Sequence, residues 1–180
     1  FKSKSYGVAG FEKLLVIKRL HPAFSMNSDF IDMLIDEAKI TVQLTHPNIG
    51  QVFDLGRVGE TYYIAMEYLQ GCDLASLLKA CADQNRSLPM EAAVFIAQEL
   101  LNGLDYAHRK TGPDGKPLSV IHRDVSPQNV LLSFEGEVKL IDFGIAKART
   151  RVHETEAGII KGKFCYMSPE QARGEQLDNR

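Results

Sequence analysis

Two carboxylates and an amide in the second half of the chain are the side chains best suited to chemistry. Asp124 is followed five residues later by Asn129, and Asp142 stands at the end of an apolar segment. Carboxylate and amide oxygens are hard ligands that suit Mg²⁺, which takes few protein ligands and completes its coordination with phosphate oxygens. The three residue types therefore indicate a site for a metal ion and a phosphorylated ligand.

Two short strands are expected to position this set. Residues 130–132 and 138–141 are apolar runs of strand length, and Glu135-Gly136 between them is a turn signal. Two strands joined by a tight turn would bring the three polar side chains to one edge. A further short strand is expected at residues 120–121.

Upstream, the chain predicts a strand that ends in Lys18 and a helix that begins near Ser28. The apolar run 14–17 is rich in strand formers, and Ser28 is a favourable N-cap. Glu37 lies on an otherwise apolar face of that helix, where a carboxylate is costly unless a cation meets it. The other expected elements are strands over 49–55 and 61–66 joined by a turn over 56–59, a short helix over 73–82, a turn at 113–115, and a helix from near Pro89 to about Lys110 with a core face of Ala93, Ala97, Leu100, Leu104 and Ala107.

The order of these elements predicts an α+β fold in which a strand-rich lobe is joined to a mainly helical lobe. We place the joint near residues 67–71, so that 1–66 form the small lobe and 72–180 the helical lobe. Residues 145–165 are polar and lack periodicity, which predicts a long loop. Loops of that length in a compact domain are usually functional or disordered.

The composition argues against several classes of protein. Of 180 residues, 44% are hydrophobic, enough for a core, and 21 basic against 23 acidic residues leave a net charge of −2, which offers no field for nucleic acid or a membrane surface. The scattered Cys72, Cys81 and Cys165 are too few for a disulfide framework and indicate reduced thiols in a cytoplasmic protein. No apolar run approaches the ~18 residues of a membrane span.

Three motifs in a fixed order give the chain a resemblance to a known family. One of them alone would be a weak signal, but the set resembles the signature of the protein kinases. Pro127 and the stretch 168–174 are similar to the serine/threonine branch and to its bacterial members. The motifs are His122-Arg123-Asp124 with Asn129, Asp142-Phe143-Gly144, and Ser168-Pro169-Glu170.

This resemblance, which covers nearly the whole chain, implies a two-lobe protein-kinase-like fold and a serine/threonine kinase that uses ATP and Mg²⁺ on a protein substrate. We interpret the chain as truncated at both ends. The family's glycine-rich loop is expected before Phe1, since Gly7 and Gly10 have the wrong spacing to replace it. The isolated piece is therefore expected to be inactive and to expose apolar surface. The oligomeric state is left open.

The resemblance also implies roles for particular residues. Lys18 matches the strand lysine that contacts the α- and β-phosphates, and Glu37 matches the helix glutamate that pairs with it. Asp124 matches the catalytic base. Arg123 is similar to the arginine of kinases whose activation loop is ordered by a phosphate, for which Thr155, and less so Thr150, are candidate sites.

The remaining implied residues would hold the metal and the nucleotide. Asn129 and Asp142 match the Mg²⁺ ligands. Asp73 stands where the family places an acid near the ribose, although a helix N-cap is an equally good reading. The other residues assigned to the nucleotide pocket are Met66 as gatekeeper, Glu67 and Leu69 in the hinge, and Leu131.

Two positions depart from the family pattern. Ser126 replaces the lysine two residues after the catalytic aspartate, and Lys163 replaces the threonine after Gly162. We hypothesise an exchange in which Lys163 serves Asp124 and the γ-phosphate while Ser126 hydrogen-bonds Asp124. The alternative is that both positions drifted and Lys163 is a solvated loop residue.

Two other functions compete with an active kinase. A pseudokinase that acts as a binding or scaffolding module usually lacks one of the catalytic residues, and all of them are present here. A small-molecule phosphotransferase of related fold would lack the long loop closed by a Pro-Glu motif, so the stretch from Gly144 to Glu170 argues against it.

Overall fold

A computed structural model describes residues 1–20, 28–143 and 164–179, without the side chains of 28–30, 33, 37 and 164. Helices and strands mix in the α+β arrangement that the sequence predicted. In chain order the elements are β1 (Lys2–Tyr6), β2 (Glu12–Arg19), α1 (Ser28–Thr41), β3 (Val52–Val58), β4 (Thr61–Glu67), β5 (Gly71–Asp73), α2 (Leu74–Asp83), α3 (Met90–Arg109), β6 (Val130–Ser133), β7 (Val138–Leu140) and α4 (Pro169–Ala172).

The first sheet has four antiparallel strands in the order β1-β2-β4-β3. Its register places Lys18 opposite Ile64. The turn between β3 and β4 lies at Gly59, where φ is +58°, and not over 56–59 as predicted. Gly56 belongs to β3, and a Cβ there would lie 2.3 Å from the Tyr63 hydroxyl, so this glycine makes room for a cross-strand ring.

The second sheet is the small antiparallel set β5-β6-β7. The hairpin predicted from 130–132 and 138–141 is confirmed, and Gly136 takes a φ of +92° in its turn. The strand predicted at 120–121 is wrong, because Val120 is buried from a loop. The free side of β7 is instead occupied by Ile49, which forms a parallel bridge with Leu140.

Two of the helices begin where the sequence indicated, α1 at Ser28 and α3 directly after Pro89. The buried side of α3 centres on Ile96, Gly103 and Ala107. Ala97, which was assigned to the core face, is exposed. Ile96 precedes it by about 100° of helical rotation, and burial of the larger side chain turns Ala97 outward.

Two clusters of buried apolar side chains hold the elements together. Ile141 packs against the smaller one although its neighbour Leu140 belongs to the larger. None of the helices in the described ranges has the length and hydrophobicity needed to cross a lipid bilayer. The larger cluster is Leu44, Ile49, Ile96, Ala107, Val120, Val130, Val138, Leu140 and Phe143, and the smaller is Leu34, Val52, Ile64 and Met66.

Candidate active site

An ion pair joins the first sheet to the end of β7. The Lys18 ammonium on β2 donates a hydrogen bond to Oδ2 of Asp142, and the two side chains are 38% and 15% exposed. The partner expected for Lys18 was Glu37, whose backbone lies in α1. The Glu37 side chain is outside the described part of the chain, so that pairing stays a prediction.

The second oxygen of Asp142 is the clearest sign of a ligand site. Among the described residues, Oδ1 is buried and has no hydrogen-bond partner. The backbone of Asp142 has a φ of +64°, a sparsely populated conformation for a residue with a side chain. An unsatisfied buried carboxylate oxygen is costly, and a divalent cation would remove that cost. The site therefore fits a metal ion.

Asn129 is held beside the end of β7. It is buried, its Nδ2 donates to the Asp124 carbonyl over 2.7 Å, and its own carbonyl accepts from Ile141 N over 2.9 Å. Because the amide nitrogen takes this bond, the amide oxygen is the atom left for a cation. The described residues contain no group of three or more His, Cys, Asp or Glu that could hold a metal ion.

His122 ties the segment around Asp124 to the end of β7. Its Nδ1 accepts from Asp124 N over 3.2 Å, so the proton of the neutral ring is on Nε2, which donates to Ile141 O over 2.9 Å. The ring also meets Phe143 edge to face, with centroids 4.6 Å apart. From the sequence, His122 was identified only as part of the His122-Arg123-Asp124 motif, and no role was predicted for it.

Arg123 carries two unusual features. Its φ is +66°, and its Nε is buried without a hydrogen-bond partner among the described residues. Its carbonyl accepts from Nε2 of Gln171 in α4 over 2.8 Å, a contact that the sequence did not indicate. Thr150 and Thr155, the candidate phosphosites, lie outside the described residues.

The predicted hydrogen bond from Ser126 to Asp124 is wrong. Ser126 is buried, and its hydroxyl has no hydrogen-bond partner in the described ranges. The Ser126 carbonyl accepts from Asn129 N over 2.9 Å at the start of a 3₁₀ turn, and the Ser126 side chain does not cap that turn. Lys163 lies outside the described residues, so its half of the exchange stays a prediction.

The residues assigned to the nucleotide pocket fall at the end of β4 and along β5 and β6. Met66 is buried in β4, and Leu69 lies partly buried just beyond it. Asp73 is the N-cap of α2, with its carboxylate accepting from N and Oγ of Ser76 over 2.9 and 2.7 Å. The Ser76 side-chain and backbone hydrogen bonds lower the pKa of Asp73. Leu131 is the register partner of Asp73.

Glu67 also has a partner that the sequence did not indicate. Its carboxylate forms an ion pair with Lys139 on β7, with Nζ and Oε1 3.0 Å apart and side chains 24% and 12% exposed. Gln51 N donates to the same carboxylate over 3.1 Å, and Glu67 N donates to Gln51 O over 2.9 Å. The end of β4 is thus fastened both to β7 and to the segment before β3.

Comparisons with known proteins agree with this geometry. A family model described as "Protein kinase domain" matches residues 8–180. The chain is 44% identical over 180 residues to "Tyrosine-protein kinase MasK" of Myxococcus xanthus, covering all of this chain and 28% of that protein. It is 38% identical over 163 residues to "Probable serine/threonine-protein kinase PknB" of Lactococcus lactis, covering 91% of this chain and 24% of that protein.

A solved structure gives the same answer for the fold. The PknI kinase domain of Mycobacterium tuberculosis matches with a TM-score of 0.70 and 29% identity, covering 95% of this chain and 59% of that one. The chain therefore spans about a quarter of the length of these curated relatives and somewhat over half of the solved kinase domain.

Proposed function

The chain belongs to the protein kinase family, in its bacterial branch of eukaryotic-type kinases, and from this membership we propose that the natural protein transfers the γ-phosphoryl group of ATP to serine or threonine hydroxyls of proteins. The observation that carries the proposal is the partly satisfied carboxylate of Asp142, with one oxygen on Lys18 and the other buried without a partner in the described ranges. A lysine and a metal-ready carboxylate at one point suit bound phosphates.

Each residue then has a role in binding or transfer. Asn129 and Asp142 would hold Mg²⁺, and the ion would neutralise charge on the phosphate oxygens. Lys18, paired with Glu37, orients the α- and β-phosphates, and Asp124 accepts the proton of the attacking hydroxyl. Arg123 would bind a phosphate added to the segment that follows Gly144.

The nucleotide lies, in this proposal, between a small lobe of residues 1–66 and a helical lobe of residues 72–180. The hinge backbone from Glu67 to Leu69 holds adenine beneath Met66, and Leu131 completes the pocket. The cap bonds from Ser76 lower the pKa of Asp73, and its carboxylate can accept a ribose hydroxyl while still capping α2.

Tyrosine is a second candidate acceptor. A relative 44% identical over the whole chain is named a tyrosine kinase. The two acceptors are separated by which hydroxyl amino acid gains the phosphate.

The test is a phosphorylation assay on the natural full-length protein with Mg²⁺ and γ-labelled ATP, followed by phosphoamino-acid analysis. We expect phosphoserine or phosphothreonine, and a loss of at least ~10²-fold in rate for Asp124→Asn, because the proton acceptor is weakened. Phosphotyrosine alone would transfer the proposal to the second acceptor. ATP binding without any transfer would favour the pseudokinase.

A further inference from the structure

The backbone of Arg123, the residue before Asp124, has an unusual conformation. Arg123 has a φ of +66°, which side-chain-bearing residues rarely adopt and which persists only where neighbours hold it. The Asp124 N–H of the 123–124 peptide donates to His122 Nδ1 over 3.2 Å, and the Arg123 carbonyl accepts from Gln171 Nε2 over 2.8 Å. Both polar groups of the peptide are therefore fastened by side chains.

These two side chains come from different parts of the chain. His122 belongs to the same segment as Asp124, whereas Gln171 lies in α4, 48 residues after Arg123. Gln171 is itself held in place, because its backbone N–H donates to the Oγ of the cap residue Ser168 over 3.2 Å. The bond from Gln171 thus connects α4 to the peptide that carries Asp124.

We propose that Gln171 is a positioning residue. By donating a hydrogen bond to the Arg123 carbonyl, it holds the strained Arg123 backbone in place and so fixes the orientation of Asp124. The inference rests on the proposed function, in which Asp124 is the proton acceptor. A rotation of the 123–124 peptide would move the Asp124 side chain, and displacements of about 1 Å at a reacting group can cost ~10²-fold in rate. The contact is made to backbone, so it acts on the geometry of Asp124 and not on its charge.

Substitutions at Gln171 can separate the effect of its hydrogen-bond donor from the effect of its size. Glutamine reaches the carbonyl with an N–H donor. Gln171→Met keeps nearly the same length and removes the donor, while Gln171→Lys supplies a donor at a similar reach. Gln171→Glu keeps size and polarity but brings an acceptor against the carbonyl.

The experiment measures kcat and the KM for ATP in the natural full-length protein and these variants. Gln171→Met is expected to lower kcat by ~10- to 100-fold and to change the KM for ATP by less than about twofold, since the nucleotide site is untouched. Gln171→Lys is expected to recover most of kcat. The matched control is Gln176→Met, since Gln176 is exposed and lines the cavity that Arg123 and Gln171 also line. This change is expected to leave both constants unchanged.

Binding of Mg²⁺·ADP by each variant shows whether it is folded. If Gln171→Met fails to fold, Gln171→Glu takes its place and is expected to show the same loss of kcat. If the wild-type protein is active and the Met or Glu variant is fully active, this inference is overturned and the proposed function stands. The same holds if the Lys variant is as impaired as the Met variant. An inactive wild-type protein overturns the proposed function and this inference with it.

Discussion

The two oxygens of Asp142 have different environments, and this difference organises the site. One is bonded to Lys18, and the other is buried without a partner in the described ranges. The ammonium orients the carboxylate while leaving the second oxygen for a cation. Lys18 is itself 38% exposed, so it can also contact a phosphate on the open side.

Replacing Lys18 should therefore stop the reaction without unfolding the protein. We expect Lys18→Met in the natural full-length protein to lower kcat by at least ~10²-fold, because orientation of the phosphates is lost. Steady-state kinetics with saturating ATP provide the measurement. Lys13→Met is the matched control, since Lys13 lies on the same strand but stacks over Phe53 at 3.7 Å. Near-normal turnover by the Lys18 variant would contradict the assignment.

Ser126 and Lys163 give a second prediction at this scale. The Ser126 hydroxyl bonds no acceptor in the described ranges, so the test addresses the lysine. If Lys163 supplies the cation missing at position 126, Lys163→Ala should cost ~10²- to 10³-fold in kcat, the usual effect of losing one preorganised group.

The control for this change is Lys161→Ala, in the same stretch of sequence, which should have little effect. Ser126→Lys combined with Lys163→Thr returns the family's pattern and should recover much of the loss. A double variant no better than Lys163→Ala would show that Lys163 is ordinary loop surface.

Among the secondary structure elements, β7 has the largest share in building the site. It pairs with β6 through the predicted hairpin, bridges Ile49 on its other side, and binds Glu67 at the end of β4 through Lys139. Each of these contacts fixes the strand that leads into Asp142. The position of the carboxylate thus depends on three separate segments.

The ion pair between β4 and β7 should contribute to stability. Lys139→Met leaves the Glu67 carboxylate largely buried without its cation, and we expect the free energy of unfolding to fall by about 1–3 kcal/mol, below the cost for a fully buried pair. Urea unfolding measures it. Glu137→Gln is the matched control, because Glu137 approaches Lys139 at 3.8 Å from the same hairpin and is 49% exposed. If both changes lower the free energy of unfolding equally, the ion pair with Glu67 makes no particular contribution to stability.

At the scale of the molecule, the site lies where the two apolar clusters meet. Leu140 and Phe143 pack in the larger cluster, while Ile141 packs against the smaller. Asp142 lies between Ile141 and Phe143 in the chain, and its carboxylate accepts a hydrogen bond from Lys18 of the first sheet. Met90, Val94 and Leu101 on α3 are 58–74% exposed.

The sequence by itself determined the family, the α+β class and most of the elements. It could do so because strand and helix signals are local, and because the chemistry of Asp124, Asn129 and Asp142 is written in their types and spacing. The N-cap at Asp73 was predictable for the same reason, since its partner Ser76 is only three residues away.

The tertiary structure alone decided which distant groups meet. Gln171 and Arg123, Lys139 and Glu67, and Lys18 and Asp142 are 48, 72 and 124 residues apart, and no local pattern encodes such pairs. The bond expected from Ser126 to Asp124 is not formed, although the residue type could make it, because a residue type does not fix the direction of its side chain. Contacts of this kind depend on how whole elements pack against each other. They are therefore known only once the tertiary structure is known.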